Sequence, residues 1–114
     1  DPCFKGRKVV SVSGDGGFGQ YLADVTTAVK YGMNITHVLL HNKELGKISK
    51  EQKAGNWEVW QTSLHKPNFA DFVNSCGGLG IRVTNKKELT AALKKCLKHK
   101  TFSLVEIMAD VELI

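Results

Sequence analysis

Two residues that could bind a cation follow two apolar runs of the chain. Asp15 lies in the glycine-rich turn Gly14–Gly19, directly after the run Val9–Val12, and Asn42 follows a second apolar run, Val38–Leu40. A pattern typical of a helix lies between them, so the predicted order is strand, glycine turn, helix, strand. Because open α/β sheets bind ligands at the carboxyl ends of their strands, we expect Asp15 and Asn42 at the same edge of neighbouring strands.

The glycine turn has the composition of a phosphate-binding loop. Glycines let backbone N–H groups approach a phosphate, and the N-terminus of a following helix adds the positive end of its dipole. A carboxylate beside a diphosphate is repelled unless a cation lies between them, and Mg²⁺ commonly binds one or two carboxylates together with substrate phosphates. Asp15 and the amide oxygen of Asn42 are ligands of this kind. The pattern therefore favours a diphosphate bound through magnesium.

The same glycines allow a second interpretation. Gly14, Gly16 and Gly19 match G-x-G-x-x-G, the fingerprint of dinucleotide-binding domains. That fingerprint needs an acid at the end of the second strand, where this chain has His41 and Asn42. A non-catalytic nucleotide-binding module of Rossmann-like type stays as the alternative, as does a βαβ turn whose glycines serve packing.

The spacing of these residues matches a known motif. Gly14-Asp15-Gly16, a spacer of 24 residues and then His41-Asn42 resemble the GDG-spacer-NN motif of thiamine diphosphate (ThDP) enzymes. The resemblance covers Lys8–Ile114, which is similar to the C-terminal ThDP-binding domain of the pyruvate oxidase and acetolactate synthase family. Further similar segments are Asn68–Ala70, Cys76–Val83 and Leu104–Ile107. The resemblance implies a ThDP- and Mg²⁺-binding domain of a 2-oxo-acid decarboxylase, oxidase or carboligase.

The motif also implies roles for individual residues. Asp15 and Asn42 match magnesium ligands that hold the cofactor, and Glu44 stands where the family gives a backbone carbonyl to the same ion. His41 departs from the pattern, which has Asn at that position. The turn that binds the diphosphate through backbone N–H groups is implied to consist of Gly14, Gly16, Gly17 and Phe18.

A catalytic residue is implied further along the chain. Lys47–Gln52 resembles the I-x-x-E-Q segment of pyruvate oxidases, whose glutamate lies by the reacting centre; acetolactate synthases carry a tryptophan there. The resemblance implies a catalytic role for Glu51 in an oxidase-like or decarboxylase-like parent, and an oxidase parent could also use FAD. The alternative for Glu51 is a solvated loop charge.

The family's chemistry needs a second domain. ThDP enzymes react at the interface with a pyrimidine-binding domain of a partner chain, which supplies the glutamate that activates the aminopyrimidine. The 114 residues contain neither that domain nor the segment that normally precedes Lys8 in the family. We therefore expect residues 1–114 to form one ThDP-binding domain lacking its N-terminal part, which assembles as a homo-oligomer and is inactive on 2-oxo acids when alone.

Length and composition fit this class and argue against others. A chain of 114 residues is one domain. Its net charge of +5 comes largely from lysines, interpreted as solvated faces, because nucleic-acid binding would need basic residues interleaved with aromatics or a known motif. Three cysteines without metal-binding spacing indicate reduced thiols in a cytoplasmic protein, and no signal peptide or membrane-length apolar run is found.

Strands alternating with helices predict a three-layer α/β/α fold with a parallel sheet of about four strands. A sheet without upstream strands would leave an exposed edge, which favours self-association. Residues 47–66 are predicted to be a long loop in which Trp57 and Trp60 seal a local core or a partner interface. The predicted strands are 8–13, 36–41, 80–83 and 103–108, and the predicted helices are 21–31, 68–76 and 85–98.

Overall fold

One parallel sheet runs through the molecule. A computed structural model describes residues 6–113. Within them the strands are β1 (Val9–Gly14), β2 (Ile35–His41), β3 (Leu79–Val83) and β4 (Ser103–Met108). They lie in the order β1-β2-β4-β3, and each of the three pairings is parallel. The α/β class and the four-stranded parallel sheet are confirmed, with each strand within one residue of its predicted bounds.

Helices connect the strands and cover the sheet. Those described are α1 (Asp15–Gln20), α2 (Asp24–Lys30), α3 (Gly46–Ala54), α4 (Phe69–Ser75), α5 (Lys86–Lys98) and a 3₁₀ turn at Val111–Leu113. Asparagine side chains cap α4 and α5: Asn68 accepts a hydrogen bond from the backbone N–H of Asp71, and Asn85 from that of Glu88. None of the helices within residues 6–113 is long and apolar enough to cross a membrane.

The sheet separates two apolar cores, which gives the predicted three layers. Helices α1, α2 and α4 cover one face, and α5 covers the other over β3 and β4. The first core includes Val25, Leu39, Phe69, Val73 and Leu104. The second includes Val83, Ala92, Cys96 and Val105. Strand β1 lies at one edge of the sheet, and its Val10 and Val12 are 52% and 65% exposed.

Two predictions of local structure are wrong. The glycine-rich segment after β1 is helix α1 rather than an open turn, because Phe18 packs against Phe69 and His37 and this packing outweighs the low helix propensity of glycine. The long loop contains helix α3, whose sequence is too polar to show helical periodicity.

The tryptophans of that segment do not seal a local core. Trp57 and Trp60 are 74% and 68% exposed. The loop folds back on α3 through its backbone instead: the N–H of Trp57 donates to the carbonyl of Gln52, and the Gln52 side chain bonds the backbone of Trp60. Hydrogen bonds from Gln52 to the loop backbone therefore hold the loop without burying its large side chains.

Candidate functional site

The structure brings Asp15 and Asn42 to the same edge of the sheet. Strand β1 ends at Gly14 and β2 ends at His41, and the two strands pair in parallel, with Gly14 opposite Leu40. Asp15 and Asn42 are the next residues of the two segments. The predicted placement at the carboxyl ends of neighbouring strands is confirmed.

Backbone groups and a histidine surround the Asp15 carboxylate. Its Oδ2 accepts a hydrogen bond from the backbone N–H of Lys43 at 2.8 Å, and its Oδ1 accepts one from the N–H of Gly16 at 3.1 Å. Lys43 has a φ of 67°, in the left-handed region. His41 Nε2 lies 3.5 Å from Oδ2, and Asp15 is only 5% exposed. The carboxylate is therefore buried and held by backbone hydrogen bonds at the start of α1.

Asn42 and Glu44 complete the oxygen donors at this edge. The backbone N–H of Glu44 donates to Asn42 Oδ1 at 3.2 Å. The Glu44 carboxylate accepts hydrogen bonds from the hydroxyls of Ser49 and Thr62, so its side chain is already engaged away from Asn42. This arrangement suits the implied use of the Glu44 backbone carbonyl rather than its carboxylate.

This donor set fits magnesium better than a softer metal. Within residues 6–113 no three His, Cys, Asp or Glu side chains lie together as a metal cluster. The available donors are the carboxylate of Asp15, the amide of Asn42 and the backbone carbonyl of Glu44. Mg²⁺ binds through one or two carboxylates and takes its remaining ligands from waters and substrate phosphates.

Two glycines of α1 differ in their surroundings. A Cβ on Gly16 would lie 3.0 Å from Leu45 Cδ2 and 3.4 Å from Leu64 Cδ1, so this glycine lets the 43–45 and 62–64 segments approach the turn. A Cβ on Gly17 would meet nothing within 4 Å. The first N–H groups of a helix have no backbone partner within the helix, and here that of Gly16 donates to the Asp15 side chain.

A cleft beside the turn could admit a ligand. It has a volume of about 380 Å³ and is bordered by Asp15, Gly16, Gly19, Gln20, His65 and Phe69. The partly buried ring of Phe18 packs against the core, 5.4 Å from the ring of Phe69, and this contact holds α1 against the sheet. Of the implied site residues, Asp15 and Gly16 border this cleft, whereas Gly17 and Phe18 border a different cavity between β1 and α2.

Glu51 lies apart from these residues. It is on α3, 68% exposed, with its carboxylate 4.0 Å from Lys47 Nζ. No hydrogen bond or ion pair joins it to Asp15 or Asn42 within the described part of the chain. Its catalytic role stays a prediction.

Sequence reasoning missed a buried charge network next to Asp15. Arg82 on β3 donates from Nε and Nη2 to both oxygens of Glu106 on β4, at 3.1 and 2.9 Å, and His41 Nδ1 lies 2.6 Å from Glu106 Oε1. Both His41 and Glu106 are fully buried. The available signal was a charged residue inside each of two apolar strands, since such residues are rarely buried unless paired.

The network sets the charge of its members. Burial alone would raise the pKa of Glu106, but hydrogen bonds from Arg82, His41 and the Ala70 N–H, with the charge of Arg82, outweigh it and lower that pKa. The hydrogen bond to Glu106 raises the pKa of Arg82 above its usual range. Glu106 is therefore a carboxylate and Arg82 a cation.

Comparison with known proteins identifies the family of this chain. The family described as thiamine pyrophosphate (TPP) enzyme, C-terminal TPP binding domain, matches residues 3–107. A thiamine pyrophosphate-containing protein of Bacillus subtilis, YdaP, is 39% identical over 106 residues, 93% of this chain and 18% of that protein. The catalytic subunit of mitochondrial acetolactate synthase from Saccharomyces cerevisiae is 29% identical over 104 residues, 90% of this chain and 15% of that protein.

The fold is found in solved structures of the same class. The ThDP-dependent 4-hydroxybenzoylformate decarboxylase of Rhodococcus jostii RHA1 superposes with a TM-score of 0.84 at 22% identity, over 92% of this chain and 20% of that one. The chain belongs to the thiamine pyrophosphate enzymes, as their C-terminal TPP-binding domain. It spans about a fifth of the length of the relatives it matches. The Rossmann-like alternative is not favoured by these findings.

Proposed function

We propose that this chain binds the diphosphate of ThDP through Mg²⁺ at the carboxyl edge of β1 and β2, as part of an enzyme acting on 2-oxo acids. The main support for the proposal is the position of Asp15 and Asn42. They are 27 positions apart in sequence, yet they follow directly on the ends of two paired strands, beside the first turn of α1. The relatives' names include a synthase and a decarboxylase, which supports this class of reaction.

The need for a cation follows from electrostatics. A diphosphate bound at the turn would lie within a few ångströms of the Asp15 carboxylate. Two like unit charges at 4 Å repel by about 4 kcal/mol at an effective dielectric of 20. A hydrogen bond to a charged group contributes about 1.5–3 kcal/mol. The repulsion would therefore cancel most of the binding energy that the few N–H groups at the start of α1 could supply. A divalent ion held by Asp15, Asn42 and the Glu44 carbonyl turns the repulsion into attraction.

The residues of this chain position the cofactor and tune its surroundings. When bound, ThDP supplies the carbanion-stabilising centre for reaction with a 2-oxo acid, and protein groups orient that centre. Gly14, Gly16, Gly17 and Phe18 would bind the diphosphate through their backbone. Glu51, exposed on α3, would act at the reacting centre where a partner domain meets this helix.

The complete activity is proposed to need more than these 114 residues. We infer that a pyrimidine-binding domain, from the same protein or another copy, supplies the glutamate that activates the aminopyrimidine. The relatives' much greater length supports this view. An oxidase parent would use FAD as well. The 114 residues alone are expected to bind ThDP weakly and to turn over no 2-oxo acid.

Calorimetric titration of ThDP tests the proposal. We expect binding with Mg²⁺, none in EDTA, and at least tenfold weaker binding for Asp15→Ala. Asp24→Ala is the matched control, because Asp24 is an exposed acid in the first turn of the next helix, and it should bind like wild type.

Two results would contradict the assignment. Metal-independent binding, or binding indifferent to Asp15→Ala, would remove the magnesium site and return attention to NAD and FAD as ligands. Decarboxylation of a 2-oxo acid by the 114 residues alone would show that no second domain is needed.

A further inference from the structure

Two exposed tryptophans follow helix α3. Trp57 and Trp60 are 74% and 68% exposed, and Val59 between them is 37% exposed. Tryptophan side chains are highly buried on average, so two exposed ones within four residues need an explanation. Of the two roles that the sequence allowed for them, sealing a local core is wrong, which leaves contact with a partner.

The backbone that carries the tryptophans is fixed in an unusual conformation. Asn56 and Gln61 flank them with φ of 56° and 57°, in the left-handed region that residues other than glycine seldom adopt. Residues held in this region cluster at functional sites, where the surrounding structure maintains them. Here Gln52 maintains the loop: its carbonyl accepts from the N–H of Trp57 at 2.8 Å, and its side-chain amide bonds both backbone groups of Trp60 at 3.3 Å.

The indole of Trp57 lies directly on Gly55, the residue that ends α3. A Cβ at Gly55 would be 2.5 Å from Trp57 Cδ1 and 2.6 Å from its Nε1. Gly55 has a φ of −83°, which any residue adopts, so this glycine serves the approach of the indole and not the backbone conformation. The indole is therefore packed on the end of the helix while most of its surface stays exposed.

The residues that hold the tryptophans share one side of α3 with Glu51. Four positions at i, i+3, i+4 and i+7 form this side: Ile48, Glu51, Gln52 and Gly55. Ile48 is 45% exposed and the Glu51 side chain 68%. This side of α3, together with Trp57 and Trp60, is called the tryptophan surface below.

We propose that the tryptophan surface is the docking site of the pyrimidine-binding domain, with Trp57 and Trp60 as the side chains that enter that domain. The inference rests on the proposed function: Glu51 can act at a reacting centre between two domains only if the partner covers the side of α3 that carries it. Tryptophan is enriched among the few residues that dominate binding energy, and a rigid presentation lowers the entropy lost on binding.

Charge favours this occupant over a second copy of the same surface. Residues 46–60 contain three lysines against two acids, and the 114 residues carry a net charge of +5. Two copies placed face to face would bring like charges together, which opposes association. The chain spans 18% and 15% of two relatives, so most of each of those proteins lies outside the matched region. The expected partner surface has pockets for two indoles and an acidic rim.

Photo-crosslinking in the natural full-length protein identifies the occupant. With p-benzoylphenylalanine in place of Trp60, we expect ultraviolet light to join position 60 to peptides of the pyrimidine-binding domain, identified by mass spectrometry. The same replacement of Tyr31, a 66% exposed aromatic residue at the end of α2, is the control and should give no such product. Crosslinks from position 60 to the C-terminal domain of another copy, to an unrelated protein or to nothing would overturn the proposal.

Gly55→Ala tests the presentation of Trp57 without removing it. The added methyl meets the indole, whereas the nearest backbone atom, the Glu51 carbonyl oxygen, is 3.5 Å away, so the indole must turn and the helix can stay intact. We expect Gly55→Ala and Trp57→Ala each to lower 2-oxo-acid turnover of the full-length enzyme by at least about tenfold, as loss of a dominant contact does, and Tyr31→Ala to leave it unchanged. Binding of ThDP with Mg²⁺ should be equal in all three variants.

The outcomes also distinguish the two proposals. A full-length enzyme that binds ThDP with Mg²⁺ and keeps its turnover in both Gly55→Ala and Trp57→Ala overturns only the docking surface. Failure of the wild type to bind ThDP with Mg²⁺ overturns the proposed function, and the docking surface with it.

Discussion

Glu51 has few contacts that a purely structural role would require. Its carboxylate is mostly exposed, and its ion pair with Lys47 is a long surface contact between two exposed side chains. Pairs of this kind contribute little to stability. A substitution at Glu51 should therefore report on chemistry alone.

We expect Glu51→Gln to leave folding unchanged and to lower 2-oxo-acid turnover at least 100-fold in the full-length enzyme, since acid–base groups typically contribute 10²–10⁴-fold. The substitution keeps the shape and removes the charge. Steady-state kinetics with a series of 2-oxo acids, beside a ThDP titration that should be unaffected, provides the check. Lys47→Gln, which alters the same exposed pair, serves as control. Unchanged turnover in Glu51→Gln would mean that Glu51 is a solvated surface charge.

Site residues could be predicted from the sequence where a residue able to bind a cation directly follows a predicted strand. Asp15 and Asn42 follow apolar runs and carry oxygen ligands, so the strand pattern alone placed them together. The link between His41, Glu106 and Arg82 could not be predicted in this way, because it depends on β4 lying between β2 and β3. Strand order is a property of the folded sheet and has no local signature along the chain.

At the scale of elements, α4 packs on β3 with direct backbone contact. A Cβ added to Gly80 would lie 2.1 Å from the carbonyl oxygen of Ala70. The Asn74 side chain also brackets Gly80, since its amide bonds both the N–H and the carbonyl of that residue. This close approach places the Ala70 N–H against Glu106. The glycine therefore supports the charge network from a neighbouring strand.

Gly80→Ala should destabilise the fold by about 3 kcal/mol, at the upper end of ordinary overpacking, because a backbone atom and not a flexible side chain stands in the way. Gly19→Ala is the control: a Cβ there meets nothing within 4 Å. That change should be neutral or stabilise by up to about 1 kcal/mol, since it restricts the unfolded chain. Urea denaturation followed by circular dichroism measures both. Equal stability of the two variants would show that α4 yields easily.

Helices were predictable only where they bury a face. Helix α5 was predicted from the spacing of its apolar residues, and two of these, Ala92 and Cys96, are buried in the structure. Helix α3 was missed because Ile48 is its only large apolar residue and its other positions are mostly polar. Tertiary and backbone contacts around Glu44 and Thr62, which bonds the N–H of Leu45, hold α3 in place. Such contacts leave no periodic pattern.

At the scale of the whole molecule, the sheet exposes apolar side chains at its β1 edge. Val10 and Val12 stand on the sheet face that α5 covers only over β3 and β4, and Leu40 beside them is also exposed. On the other face a cavity of about 470 Å³ opens between β1 and α2. An edge strand with apolar side chains is a surface on which another chain can pair.

We expect the 114 residues to self-associate as concentration rises, and Val12→Lys to weaken that association at least tenfold by placing a charge on the edge strand. Ile48→Lys, which alters a similarly exposed apolar residue on α3, should leave it unchanged. Sedimentation equilibrium over a wide concentration range measures both. A wild type that stays monomeric throughout contradicts this expectation.

The position of β4 has a consequence for how the protein is made. β4 is the last strand in the described sequence, yet it pairs with both β2 and β3, which do not pair with each other. A ribosome adding about 5–20 residues per second needs several seconds to pass from the end of β2 to β4. Until β4 is made, no strand lies between β2, which contains His41, and β3, which contains Arg82. His41 and Arg82 acquire their shared partner only when Glu106 is synthesised, so the strand that joins β2 to β3 is made after both of them.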